Sequence, residues 1–114
     1  MPKRGDVFRL KRRLGFAAKG EAEAVVVVQT DSLTAVLPTL LVVGLDPAEG
    51  AFASWPLVVR VSREESGSRV EQVAVPWNLR PISGDALAPG SVGRLRPETL
   101  RALEESIRLV LDLS

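Results

Sequence analysis

The stretch "KGEAEAVVVVQTD" (Lys19–Asp31) passes from a charged loop of small residues into four consecutive valines and stops at three polar residues. A short, continuous β-branched run bounded in this way leaves no side for water, which is the pattern of a central strand covered on both faces. The loop ahead of it carries Lys19, Glu21 and Glu23. Loops held by rigid strands are where binding and catalysis concentrate, so these charges are the first candidates for chemistry.

Working outward, "TLLVVGL" (Thr39–Leu45) repeats the apolar-run pattern, and "TDSLTAVLP" between the two runs reads as a connection of moderate length. Upstream, "DVFRLKRRL" alternates: Phe8, Leu10 and Leu14 fall on one side and Arg9, Lys11 and Arg13 on the other, as in a half-buried strand. Downstream, "LVVRVS" (Leu57–Ser62) and "RVEQVAV" (Arg69–Val75) flank "REESGS", so a β-hairpin turning at Ser66, Gly67 and Ser68 is expected. "GLDPAEG" reads as an ordinary turn, because it has neither the lysine of a phosphate loop nor the ligand spacing of a calcium loop.

After Gly93 the period changes. Pro97 suits the first turn of a helix, and Glu98 sits beside its positive dipole end. Leu100, Leu103, Ile107 and Val110 then form one apolar stripe with Leu111 adjoining it, and Arg101 with Glu105 and Glu104 with Arg108 are spaced as i,i+4 pairs on the wet side. Short strands followed by one terminal helix predict a small, mostly antiparallel barrel or sandwich with the helix packed on it.

Composition narrows the chemistry. The chain has 114 residues, 46% of them apolar and 25% charged, which suits one domain over residues 1–114. It contains no cysteine, histidine or tyrosine, which removes thiolate and imidazole metal ligands and every Ser-His or Cys-His nucleophile. Proton transfer would fall to carboxylates, lysine or arginine. Residues 1–19 hold Lys3, Arg4, Arg9, Lys11, Arg12, Arg13 and Lys19 against Asp6 alone. Such a cluster attracts nucleic acid phosphates or an acidic peptide, and equally protects an exposed strand edge from unwanted pairing. No apolar run approaches the ~18 residues of a membrane span, and the start lacks the apolar centre of a secretion signal, so a cytoplasmic protein without membrane contact is expected.

Taken together, "KRGDVF", "VVVVQTD", "LPTLLVVGL", "VPWNLRPIS" and "VGRLRPETLRALEESIRLVLDL" resemble, in order and spacing over nearly the whole chain, the MazF/PemK toxins of toxin–antitoxin systems. The strongest points are Arg4 to Val7, Gln29 to Asp31, and Gly93 and Leu95 with the terminal helix; Asn78-Leu79-Arg80 resembles the family's glutamine-isoleucine-arginine stretch. The resemblance implies a mainly β fold with a C-terminal α-helix, an SH3-like curved antiparallel barrel of the MazF/CcdB type, assembled as a homodimer. It implies cleavage of single-stranded RNA at short preferred sequences, with no metal or other cofactor, restrained by an antitoxin with an acidic tail. A gyrase poison of the CcdB type shares the fold but ends in tryptophan-glycine-isoleucine, whereas this chain ends in Leu113-Ser114.

The resemblance also exposes two departures. The family's catalytic arginine, ahead of the valine-rich strand, falls on Glu23, and its threonine, after "VVGL", falls on Asp46. Both changes turn a group that favours a phosphate into one that repels it, and losing one preorganised donor typically costs about 3–4 kcal/mol. Three readings stand open. The site is rewired, with Glu23 as base and Lys19, Arg80 or Arg13 supplying positive charge; or it is lost and the fold only binds; or Lys19 occupies the arginine's place. The candidate catalytic residues are therefore Glu23, Asp46 and Lys19, and the candidate RNA or antitoxin contacts are Arg9, Lys11, Arg13, Asn78 and Arg80. Trp55 and Trp77 are open to two roles, platforms for nucleobases or packing in the core or a dimer interface.

Overall fold

The valine run does become a central strand, and its neighbours follow from it. In the computed structural model, which describes residues 1–11, 23–50 and 54–112, Val25, Val26 and Val27 are wholly buried. They lie in β2 (Ala24–Val27), between β1 (Asp6–Arg9) and β3 (Thr39–Pro47). The sheet continues through β5 (Gln72–Ser83) to β4 (Val59–Val61) on one side and to β6 (Gly93–Arg94) on the other, in the order β4-β5-β3-β2-β1-β6, with every pairing antiparallel.

Each face of this curled sheet has its own apolar layer. Val7, Ala24, Val26, Val43, Leu45, Val61, Ala74, Leu95 and Leu103 form one cluster, to which the helix α3 (Pro97–Leu111) contributes. Phe8, Leu10, Val25, Val27, Leu40, Val42, Ile82 and Leu87 form the other. Adjacent strand residues therefore feed opposite layers, and burying each valine contributes ~1.5–3 kcal/mol. The curl has a local cause between β3 and β5. Val43 faces Leu79 and Leu45 faces Ala74, so two steps along β3 match five along β5. Extra residues on one strand bend it and increase its twist.

Several expectations are corrected. The connection after β2 contains a helical turn, α1 (Asp31–Thr34). The β4–β5 hairpin forms, but its connection is a helix, α2 (Arg63–Ser66), closed by a Ser62/Glu65 capping box and ended by Gly67 at φ 69. A side chain at Gly67 would also run into the carbonyl of Val92, so glycine is required there twice over. Strand β1 is not half wet: Val7 and Phe8 are both buried, one in each layer. On α3, Leu103 is buried and Leu100 and Ile107 pack on the first cluster, while Leu111 is half exposed. The pairs on the helix differ too. Glu104 is drawn to Arg4 at the other end of the chain, and Arg108 bonds Glu105 one turn back at 3.1 Å.

Candidate functional site

Three of the candidate residues meet on the face away from α3. Glu23 lies immediately ahead of β2, pinned by the Leu10 N–H, which donates to its carbonyl at 2.8 Å. Alternation with Val25 and Val27 turns its side chain toward the second layer. Arg80, alternating with Ile82 on β5, turns the same way, and the two form an ion pair across the intervening strand β3. Asn78 completes the group: Arg80 Nη1 donates to its Oδ1 at 3.0 Å.

Gly44 on β3 makes this reach feasible. A Cβ at that position would stand 2.0 Å from Asn78 Nδ2. The Asn78 side chain therefore lies over β3 where the strand has no side chain of its own. Burial within the cluster is uneven. The Glu23 side chain is 1% exposed and that of Arg80 is 20% exposed. The carboxylate is covered, and the guanidinium reaches from it toward solvent. Charges removed from water need a close partner and further hydrogen bonds, and Arg80 supplies the first while Asn78 supplies one of the second.

Asp46 alternates with Leu45 and so shares the Glu23 face of the sheet, but its carboxylate turns into its own loop: a Cβ on Gly50 would lie 2.4 Å from Oδ2. The loop closes with the Gly50 N–H donating to the Pro47 carbonyl at 2.8 Å, the turn expected for this segment. Beside it opens a cavity of about 520 Å³ lined by Pro47, Ala48, Glu49, Arg60, Val70 and Glu71, away from Glu23 and Arg80.

The basic candidates do not all gather here. Arg9 alternates with Phe8 onto the α3 side and reaches toward the Gly67 carbonyl at a long 3.5 Å. Lys11 is exposed, its N–H donating to the Ala86 carbonyl at 2.9 Å. The expectation that Arg9 and Lys11 share one wet strand face fails because β1 ends at Arg9. Arg13 and Lys19 lie outside the described residues.

Trp55 and Trp77 are in neither apolar layer. Their rings pack against each other, centroids 5.6 Å apart and planes tilted by 36°. Trp77 directly precedes Asn78 on β5, and Trp55 is 53% exposed. Core packing is thus excluded for Trp55.

The residue that sequence reasoning passed over is Glu65. Its carboxylate accepts from the Ser62 N–H at 3.1 Å, the Ser62 hydroxyl at 3.0 Å and the Arg96 N–H at 2.8 Å, joining α2 to the start of α3. Burial alone would raise its pKa, but bonds from the Arg96 backbone, the Thr99 hydroxyl and Ser62 outweigh it and lower the pKa from 4.5 to about 2. The signal was present as Ser62-x-x-Glu65, a capping-box spacing.

Among the described residues no cluster of acidic side chains is arranged to hold a metal ion, and no helix is long and apolar enough to cross a membrane.

No protein-family model matches the chain. Solved structures do resemble it. An endoribonuclease in complex with its cognate antitoxin, from mycobacterial species, aligns over 100% of this chain and 98% of its own with a TM-score of 0.76 and 18% identity. The Mycobacterium tuberculosis toxin MazF-mt6 aligns over 96% and 98% with a TM-score of 0.74 and 18% identity. A MazE-MazF structure from Deinococcus radiodurans aligns over 99% and 97% with a TM-score of 0.75 and 12% identity. The chain has a MazF-like toxin fold: a curled antiparallel half-barrel with a C-terminal helix.

Proposed function

We propose that this chain is a toxin-type endoribonuclease that cleaves single-stranded RNA at short preferred sequences, without a metal ion, with Arg80 in the part that its relatives give to an arginine ahead of β2. The observation that carries this reading is the Glu23–Arg80 pair. The position where a cation is expected holds an anion, and that anion is bonded to a cation from another strand. The positive charge is relocated, and its partly exposed guanidinium is suited to a phosphate.

In the reaction the ribose 2′-oxygen bonds to the neighbouring phosphorus as the bond from phosphorus to the 5′-oxygen breaks. The 2′-hydroxyl proton goes to a base, and the departing 5′-oxygen takes up a proton. The products are a 2′,3′-cyclic phosphate and a 5′-hydroxyl. Arg80 stabilises the charge that gathers on the phosphate. Glu23, being covered, is a positioning residue that holds Arg80, and Asn78 orients the guanidinium from the other side. Lys19, expected from the sequence to supply positive charge rather than to act as base, is the candidate this proposal gives to proton transfer. Asp46, turned into its loop, takes no part in the step. A homodimer in the cytoplasm, restrained by an antitoxin with an acidic tail that competes for the same guanidinium, completes the proposal. Two of the similar structures are an endoribonuclease with its cognate antitoxin and a MazE-MazF assembly, which supports this partner.

A second reading rests on a specific observation. Glu23 and Asp46 are only 2% and 7% exposed, so neither carboxylate stands ready to meet a ribose. A fold that binds RNA or an antitoxin without cutting would have the same geometry. The test is incubation of a long single-stranded RNA with purified protein in EDTA. Fragments ending in cyclic phosphate, lost in Arg80→Ala, support the nuclease; intact RNA that is nonetheless bound supports the binding module.

A further inference from the structure

We infer that the cavity between the β5–β6 connection and the start of β1 receives an unpaired guanine base of the RNA, with the Asp6 carboxylate as the acceptor that selects it; this rests on the RNA reading of the Arg80 site. The cavity measures about 390 Å³, and Phe8, Leu87, Ala88 and Pro89 give it apolar walls. A space of this order, mostly apolar with few polar groups, is the usual form of a small-ligand site. Among the described residues, Asp6 is the one charged side chain in the lining, and it is 15% exposed. Its oxygens take a bond from the Lys3 N–H at 3.0 Å and from Arg94 Nη1 at 2.5 Å. An ionised carboxylate has about four acceptor positions and no donor, so acceptor capacity remains for a ligand that brings N–H groups. Guanine sets two donors side by side, N1–H and the N2 amine, whereas uracil has a single donor between two carbonyls. An acidic peptide is turned away by the same carboxylate.

Strand register ties the cavity to Arg80. Phe8 and Leu87, which line it, belong to the second apolar layer, and alternation with Phe8 turns Asp6 to that same face, the one that Glu23 and Arg80 share. Arg94 faces Asp6, Val7 facing Val26 sets Asp6 beside Val27, Val27 faces Val42, and Val42 faces Arg80. One row across five strands therefore carries an arginine at each end. Their backbones would stand about 19 Å apart in a flat sheet and lie nearer in this curled one. Arg94, 61% exposed and bonded to Asp6, brings a guanidinium to the edge of the cavity. Two cations at this span, with a base site at one of them, fit phosphates of a single strand a few nucleotides apart.

The probes are labelled 2′-O-methyl oligouridylates, which resist attack by the 2′-oxygen, carrying one central guanosine, one central inosine or neither. Each is titrated with the full chain, and anisotropy of the label measures binding. The guanosine strand should bind roughly 5- to 150-fold more tightly than the plain uridylate, and inosine, which lacks the N2 amine, should lose part of that gain. Asp6→Asn, which exchanges an acceptor oxygen for a donor, should abolish the preference while the uridylate still binds. Ser91→Phe fills the cavity from an exposed position of its lining and should abolish the preference too, which keeps the test decisive if Asp6→Asn does not fold. Equal affinity of the wild type for all the strands, or a guanosine preference that survives in folded Asp6→Asn or in Ser91→Phe, would overturn the base site and leave the RNA reading intact. Failure to bind any of these oligonucleotides would overturn both. If Ser91→Phe weakens self-association in sedimentation while the guanosine preference persists, the cavity serves a second copy of the chain and the inference is wrong.

Discussion

Two glutamates in this molecule are almost equally hidden, Glu65 at 4% exposure and Glu23 at 2%; each meets an arginine side chain, Arg96 and Arg80, but the rest of their bonding differs. Glu65 draws most of its bonds from backbone N–H groups and a hydroxyl at the ends of α2 and α3. Glu23, among the described residues, is bonded to the long cationic side chain of Arg80, which continues toward solvent. Donors fixed in the backbone cannot leave, so the first arrangement holds elements together. A guanidinium on a flexible stem can turn to another anion, which makes the second arrangement fit for a ligand.

The largest expected effect separates the two on the side of activity. Arg80→Ala should lower RNA cleavage per folded molecule by about 10²–10³, as removal of a charge-stabilising donor does, and should also lower the thermal midpoint, because the buried Glu23 carboxylate loses its cation. Cleavage rates beside a melting curve check this. Glu65→Ala should touch stability alone, costing about 3 kcal/mol by urea unfolding while cleavage per folded molecule persists. The pH profile sharpens the contrast. Glu65 has a folded pKa of about 2, below its ordinary 4.5, so its contribution is complete above the upper value and is lost as pH falls toward the lower. The wild type should therefore lose about 3 kcal/mol across that window, and Glu65→Gln should remove most of the slope.

Exchange of the other pair, Glu23→Arg with Arg80→Glu, should recover most of the stability lost in Glu23→Arg alone, about 1–3 kcal/mol. It should leave cleavage absent, because the solvent-reaching member is now an anion. Recovery of cleavage would mean that the sign at Arg80 is not what the reaction needs. The smallest effect belongs to the surface: Glu105→Ala, which removes the partner of Arg108, should shift stability by less than about 0.5 kcal/mol.

Most of the architecture was legible where a pattern is local. The valine run, the second apolar run and the terminal stripe around Leu103 each state a period that the fold honours. The helical turn α2 was hidden because Ser66, Gly67 and Ser68 read as turn formers, while the Ser62–Glu65 capping box that decides the segment was not weighed. The end of α3's polar side was misread because i,i+4 spacing says nothing of Arg4, which arrives from 100 residues away. The site divides in the same manner. Glu23 and Arg80 were each identified as candidates, but their union depends on a register that spans β2, β3 and β5 and on a missing side chain at Gly44. No linear pattern encodes that.

Gly44 therefore acts as a constraint on how the protein can change. A single methyl group at that point would strike Asn78 and force the amide off the strand, loosening Arg80 at second hand. The amide is the far end of a side chain and can turn aside, so the cost of a larger residue at position 44 falls on the Asn78–Arg80 hydrogen bond rather than on the strand itself.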